Sequence, residues 1–142
     1  MTRLAPCLMV AGTASDVGKS VVATALCRVL AEEGFRVAPF KAQNMSLNAA
    51  VTPDGREIGR AQAAQAEAAG VAVRAEMNPL LVKPETDGRS QLVVLGRSVG
   101  SVAAADYWRR RADLWPVVTG ALRTLRREFD LIVIEGAGGA AE

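Results

Sequence analysis

Histidine is absent from this chain of 142 residues. Its absence removes any Ser-His-Asp or Cys-His triad assembled within the chain, and any metal site built on imidazole. Cysteine occurs twice, at Cys7 and Cys27. The two form no CxxC pair and both fall in apolar segments, so they read as small buried thiols. Neither sign of charge dominates: 17 basic and 15 acidic side chains leave a formal net charge of +2. That balance gives no reason to expect nucleic acid or an anionic membrane as a partner. No apolar run approaches the roughly 20 residues of a membrane span. The N-terminal "MTRLAPCLMVAGT" has one early arginine and a short apolar run. The run leads straight into a glycine loop, so it reads as a first strand rather than a signal peptide, which implies a cytoplasmic protein.

What is present is apolar and patterned. Half of the residues are hydrophobic, enough for one globular domain with a core. Residues 7–11 predict a buried strand. From Lys19 to Glu33, apolar residues at Val22, Ala25, Leu26, Val29 and Leu30 have helical spacing, and Gly34 suits the position just past the helix end. "FRVAPFK" predicts a second strand. "AQNMSLNAAVTPDG" reads as a loop, because Asn, Ser, Pro and Gly crowd it. The alanine-rich residues 57–69 predict a helix. "MNPLLVKPETDGRS" reads as mostly irregular with "LLV" a short strand, and "QLVVLG" as another strand. Residues 102–112 and 116–128 read as helices, with Pro116 in a first turn. "LIVIEGAGG" predicts a last buried strand. Val/Ile/Leu strands alternating with helices indicate an α/β fold, a mostly parallel sheet with helices on both faces. No repeat, linker or internal domain boundary is visible. The chain stops just after a strand, where a crossover would normally follow; it reads as part of a longer protein.

The chemistry concentrates in "GTASDVGKS", residues 12–20. It lies between a predicted strand and a predicted helix, the setting of a phosphate-binding loop. Backbone N–H groups from Ser15 to Ser20 would face a phosphate at a helix N-terminus. Lys19 would reach the β- and γ-phosphates of ATP, and the Ser20 hydroxyl would bind Mg²⁺. Gly12 and Gly18 enclose five residues, where the usual loop has four. A second acidic element is "FDLIVIEGAGG". A carboxylate closing a buried strand is the layout of a Walker B element, so Glu135 is a candidate Mg²⁺ ligand. Asp130, at the other end of that strand, is not. Lys41 closes a strand at the carboxyl edge of the sheet, where α/β ligands bind; taken alone, such a residue is more often a solvated strand-end lysine.

The five-residue loop ending in "DVGKS" resembles that of dethiobiotin synthetase and of the cobyrinic and cobyric acid synthetases. Partition ATPases of the ParA/MinD kind share the fold, but they carry a signature lysine directly after the first glycine, where this chain has Thr13. "FKAQNMSLN", "EIGRAQAAQA" and "MNPLLVKP", in that order, resemble the N-terminal synthetase domain of the cobyric acid synthase family, and the resemblance runs from about Leu8 to Glu142. It implies a P-loop synthetase domain of the dethiobiotin-synthetase type. Its nucleotide would be held by Gly12, Thr13, Ser15, Asp16, Val17, Gly18, Lys19 and Ser20. It implies ATP-dependent amidation of peripheral carboxylates of a corrinoid, adenosylcobyrinic acid a,c-diamide, with Lys19 and Lys41 serving phosphoryl transfer. The ammonia would come from glutamine, through a glutaminase domain that this chain does not include. Assembly into a homo-oligomer is left open. The family continues "EGAGSPAE" where this chain has Gly139 and Ala140, which loosens that loop.

Glu57 matches by order a metal-binding acidic residue of dethiobiotin synthetase. A glutamate opening a helix also satisfies the helix dipole without further function, and both readings stand. Asp16 reads as shaping its loop rather than orienting a nucleophile. The alanine-rich helix sets Arg60, Gln62 and Gln65 among small residues, which let another element or a large planar ligand approach closely; packing is the safer reading. "DYWRRR", residues 106–111, reads as a solvated helix face with Tyr107 or Trp108 anchored inward. The rival functions are a dethiobiotin-synthetase-like ligase and a nucleotide-dependent switch.

Overall fold

The densest apolar runs of the chain meet in one three-stranded sheet. A computed structural model describes residues 4–86, 88–109 and 111–139. Strand β1 (Cys7–Val10) is followed by helix α1 (Lys19–Glu32) and β2 (Val37–Phe40), and the last strand is β9 (Leu131–Glu135). The order is β1-β9-β2, all parallel. The last strand in sequence is therefore the middle strand in space, not an edge left open as the sequence suggested. The edges are β1, whose Leu8 and Met9 are exposed, and β2, which tolerates Pro39 because an edge strand can lack one N–H.

Alternate residues of this sheet face opposite helices. Val37 and Val133 pack with Ala23 and Cys27 of α1. Ala38, Phe40 and Ile132 pack with Leu114, Val118, Ala121 and Leu125 of α4 (Arg111–Glu128). Strands β2 and β9 are covered on both faces, as their near-continuous apolar runs required; β1, expected to be buried, is an edge strand exposed from Cys7 to Met9. Burial pushes the Cys27 thiol up to about 12, whereas Cys7 is exposed; only one of the two cysteines is the buried thiol expected.

Four stretches of the chain differ from the sequence reading in their elements. The segment expected to be one loop contains β3 (Gln43–Met45) and β4 (Ala49–Val51). The alanine-rich helix, α2, starts at Arg60 and ends at Ala68, because Glu57–Gly59 form β5, antiparallel to β4. Residues 97–103 are strand β8, followed by α3 (Ala104–Arg109). Pro116 lies inside α4 rather than in its first turn, where it removes one intrahelical donor.

A second sheet, ordered β3-β6-β7-β8, uses β6 (Leu80–Pro84) and β7 (Arg89–Val94). Its β3–β6 pair is parallel; β6–β7 and β7–β8 are antiparallel. Leu95 and Gly96 join β7 to β8 with φ of 45° and 76°, both in the left-handed region used by tight hairpin turns. The side chain of Trp108, and Ala140 of the terminal loop, lie outside the described residues. Tyr107 is partly buried against the main core, and its hydroxyl donates to Gln43 Oε1.

Candidate functional site

Placing β9 between β1 and β2 brings three strand ends to one edge. Val10 is level with Glu135, and Phe40 with Ile134. The glycine loop leaves the end of β1 and Lys41 follows β2, so both flank Glu135.

The loop is built for close approach. A Cβ on Gly12 would come within 2.7 Å of Val17 and 3.1 Å of Lys19, so the first glycine supplies room. Gly18 precedes α1 at φ 96° with no side-chain cap, a conformation glycine adopts without strain. Asp16 has φ 58°, which Asp tolerates better than most residues. Its side chain is exposed and makes no hydrogen bond among the described residues; its contribution is backbone shape, not a hydrogen bond that braces the loop. Lys19 is 8% exposed and its Nζ donates to the Ala14 carbonyl at 2.5 Å, so the amine lies folded over the loop. Thr13, Ser15 and Val17 are exposed along it.

Glu135 is the point of convergence. It is 3% exposed. Its Oε1 accepts from Lys41 Nζ at 2.6 Å and from Ser20 Oγ at 2.8 Å. Its Oε2 accepts from Gln65 Nε2 at 2.6 Å and Gln62 Nε2 at 3.3 Å. Burial pushes this carboxyl upward, but hydrogen bonds from Lys41, Gln65 and Ser20, with the charge of Lys41, outweigh burial and hold it below the usual carboxylate range. The Lys41 backbone is fixed too: its N–H donates to Met77 O and its carbonyl accepts from Asn78 Nδ2. Ser20 Oγ and Glu135 Oε1 are hard oxygen donors side by side, a set that suits a cation such as Mg²⁺, which takes few protein ligands and keeps water and phosphate oxygens. Among the described residues no group of three Cys, Asp or Glu side chains is placed to cage a metal.

Glu57 stands apart from this cluster. It lies in β5, not in a helical first turn, and its carboxylate accepts from Lys83 at 2.9 Å. Its expected charge–dipole role therefore disappears. Asp130, at the opposite end of β9, pairs with Arg36. Gln62 and Gln65, for which the sequence suggested no role, donate to Glu135, while Arg60 is exposed. The signal for them was available: two amides three apart on an alanine helix cannot be buried without partners. The alanines do pack. Ala68 and Ala69 meet Ala23 and Cys27 of α1. Beyond Lys41, a cleft of about 650 Å³ is lined by Ala42, Gln43, Leu80, Tyr107, Leu114 and Trp115, among others.

A strand, a glycine loop running into a helix through Gly-Lys-Ser, and a carboxylate on the adjacent parallel strand that bonds that serine define a P-loop nucleotide-binding domain. Residues 8–136 match the family model described as the CobQ/CobB/MinD/ParA nucleotide binding domain, and the chain belongs to that family. It is 59% identical over 138 residues to the cobyric acid synthase of Chloroflexus aurantiacus, covering 97% of this chain and 28% of that protein. It is 58% identical to that of Roseiflexus castenholzii, again over 97% of the chain and 28% of the relative. With the cobyric acid synthase of Nocardia farcinica the identity is 60% over 135 residues, 95% of this chain and 26% of the relative. The chain thus spans little more than a quarter of the length of these relatives.

Proposed function

We propose that this chain is the ATP-binding synthetase part of an enzyme that amidates peripheral carboxylates of a corrinoid, adenosylcobyrinic acid a,c-diamide, in cobalamin biosynthesis. The observation that carries the reading is the convergence of Ser20, Lys41 and Glu135 at the mouth of the glycine loop. The relatives' shared name, cobyric acid synthase, supports the substrate class.

A carboxylate is a poor electrophile, so amide formation needs activation. The γ-phosphoryl group of ATP passes to a carboxylate oxygen, giving an acyl phosphate and ADP. Ammonia then attacks the acyl carbon; inorganic phosphate leaves, and the nitrogen loses a proton. Phosphoryl transfer depends on charge neutralisation and in-line placement more than on covalent help from the protein. The N–H groups of residues 12–20 and the ammonium of Lys19 bind the phosphates. Lys41 offers a second ammonium between the loop and the cleft that begins at Ala42. Ser20 and Glu135 would hold Mg²⁺, which neutralises phosphate charge when bound. Glu57, tied to Lys83, is a weaker candidate ligand. The ammonia would be released from glutamine by a separate domain.

Lys19→Ala is the direct test. The side chain leaves a loop–helix junction, so the fold should survive while ADP release in the presence of a corrinoid acid falls by at least about a thousandfold, in line with the loss of a phosphate-clamping cation. Near-normal release from a folded variant would refute the role. A nucleotide switch, the competing reading, would hydrolyse ATP with no carboxylate acceptor present; the synthetase reading requires the acceptor.

A further inference from the structure

Glu135 is held by two buried amides that neither the loop nor the phosphate chemistry accounts for. Gln62 and Gln65 are 0% exposed, and both turn their Nε2 toward the same oxygen, Oε2. The other oxygen, Oε1, faces Ser20 and Lys41. The carboxylate is thus divided into a braced side and a presented side.

The orientation of the amides follows from chemistry. An ionised carboxylate accepts hydrogen bonds and cannot donate. Both glutamines must therefore offer their NH₂ ends. Gln62 then has its Oε1 on the far side, where it accepts from Asn44 Nδ2 at 3.0 Å. Flipping Gln62 would set oxygen against the carboxylate and NH₂ against NH₂ at Asn44. Asn78 completes the layer, accepting from Gly59 N–H and donating to the carbonyls of Lys41 and Leu80. The network also explains Gly59. Its φ is −58°, so no conformational need exists. A Cβ there would meet Asn44 Nδ2 at 2.5 Å, Gln62 Oε1 at 2.8 Å and Asn78 Oδ1 at 3.0 Å. The residue is glycine because the amides fill its side-chain space. Among the described residues no buried side-chain nitrogen or oxygen lacks a partner, so the layer is fully satisfied, the condition under which a polar network rigidifies what it holds.

We infer that Gln62 and Gln65 are positioning residues for the cation site: they fix the Glu135 carboxylate so that Oε1, and not Oε2, is presented beside Ser20. The inference rests on the reading of Glu135 as a Mg²⁺ ligand. Partners behind a metal ligand commonly tune metal affinity by about 10- to 100-fold.

The test is ADP binding by calorimetry on the whole chain, once with Mg²⁺ and once with EDTA. Gln65→Met keeps the volume and removes the shorter bond. Its Mg²⁺-dependent gain in ADP affinity should fall at least about tenfold, while affinity in EDTA stays within about twofold. Gln62→Met should move the same way by less, and decides the matter if Gln65→Met does not fold. Unchanged binding in both conditions, an equal loss in both, or failure of both variants to fold would overturn the positioning role. Glu135→Gln separates the two layers. If it loses the Mg²⁺ gain while the glutamine variants keep it, only the positioning role is wrong. If Glu135→Gln keeps the gain, the metal reading beneath both is wrong.

Discussion

Glu135 and Glu57 are both glutamates beside an isoleucine and close to a glycine in the sequence, in "IVIEG" and "GREIG". Their surroundings are opposite. Glu135 ends the central strand of a parallel sheet, and its donors come from the glycine loop's helix, the strand beside it and α2. Glu57 opens a short hairpin strand, and its side chain, 40% exposed, meets one lysine. A strand end in mid-sheet collects groups from chain segments far apart in sequence, because every neighbouring parallel strand ends at the same edge. The two-stranded hairpin brings Glu57 opposite Val51, and the one charged partner of its side chain, Lys83, comes from β6 of the other sheet. The difference shows why position in the sheet, rather than the residue type, makes a carboxylate a candidate ligand.

The largest effect expected from this contrast is on stability. Lys41 and Glu135 form an ion pair whose side chains are 13% and 1% exposed. Removing one partner of a buried pair leaves the other charge uncompensated, at a cost of about 3 kcal/mol or more. Lys41→Met should therefore lower the urea midpoint strongly at constant slope. Lys83→Met breaks the half-buried pair with Glu57, which solvent still screens in part, and should cost about 1 kcal/mol. The double variant Lys41→Met/Glu135→Gln should recover part of the loss, since neither charge of the pair remains and the new amide oxygen can still accept from Gln65. Equal costs for the two lysines would erase the distinction between the two sites.

Part of this was legible in the sequence. The glycine loop declares itself through Gly-Lys-Ser between an apolar run and a helical pattern, and the first two strands and β9 because each is an apolar run beside or around a glycine or proline. Ser20 followed from the Gly-Lys-Ser loop and Glu135 from the end of its strand, whereas Lys41 stood out only through the family resemblance of the residues around it. The order β1-β9-β2 did not, since pairing partners leave no mark on a strand buried on both faces. Strand β8 was hidden for a different reason: five of its seven residues are exposed, so it is a strand by virtue of pairing with β7, not through its own pattern. Leu95 at positive φ gave no Asn-Gly signal for its turn. The start of α2 was misplaced because alanine and glutamate favour helix, while buried Ile58 and the amides crowding Gly59 hold 57–59 in a hairpin.

Binding separates the two carboxylates at the next scale. Glu135→Gln keeps the shape but removes the anion, so the Mg²⁺ concentration needed for half-maximal nucleotide binding should rise at least about tenfold, a difference of about 1.4 kcal/mol. Glu57→Gln should shift it by less than about twofold, because its carboxylate is tied to Lys83 and not to Ser20 or the glycine loop. A Mg²⁺ titration of both variants decides it. Equal shifts, or a larger one for Glu57, would reverse the ranking and move the cation toward the hairpin.

The smallest effect is the acid limb of the stability curve. In the folded chain, burial raises the Glu135 carboxyl, but the hydrogen bonds from Lys41, Gln65 and Ser20 and the charge of Lys41 bring it below the usual range. In the unfolded chain it titrates near the ordinary value of about 4.3. A group whose folded pKa is depressed contributes stability that is fully present above the unfolded value and lost as pH falls through the folded one. Glu135→Gln has no proton to gain there. The stability advantage of the native chain over this variant should thus be constant near neutrality and shrink as pH drops below about 4. Asp130 is lowered by its hydrogen bond from Arg36, and Glu128 by that from Arg74. Both are present in either protein and cancel in the difference. Urea midpoints of the two proteins between neutral pH and about pH 3 give the measurement. An advantage that grows as the solution is acidified would mean that burial, not the ring of donors, dominates at Glu135, and that the carboxyl is held protonated where a cation ligand must be an anion.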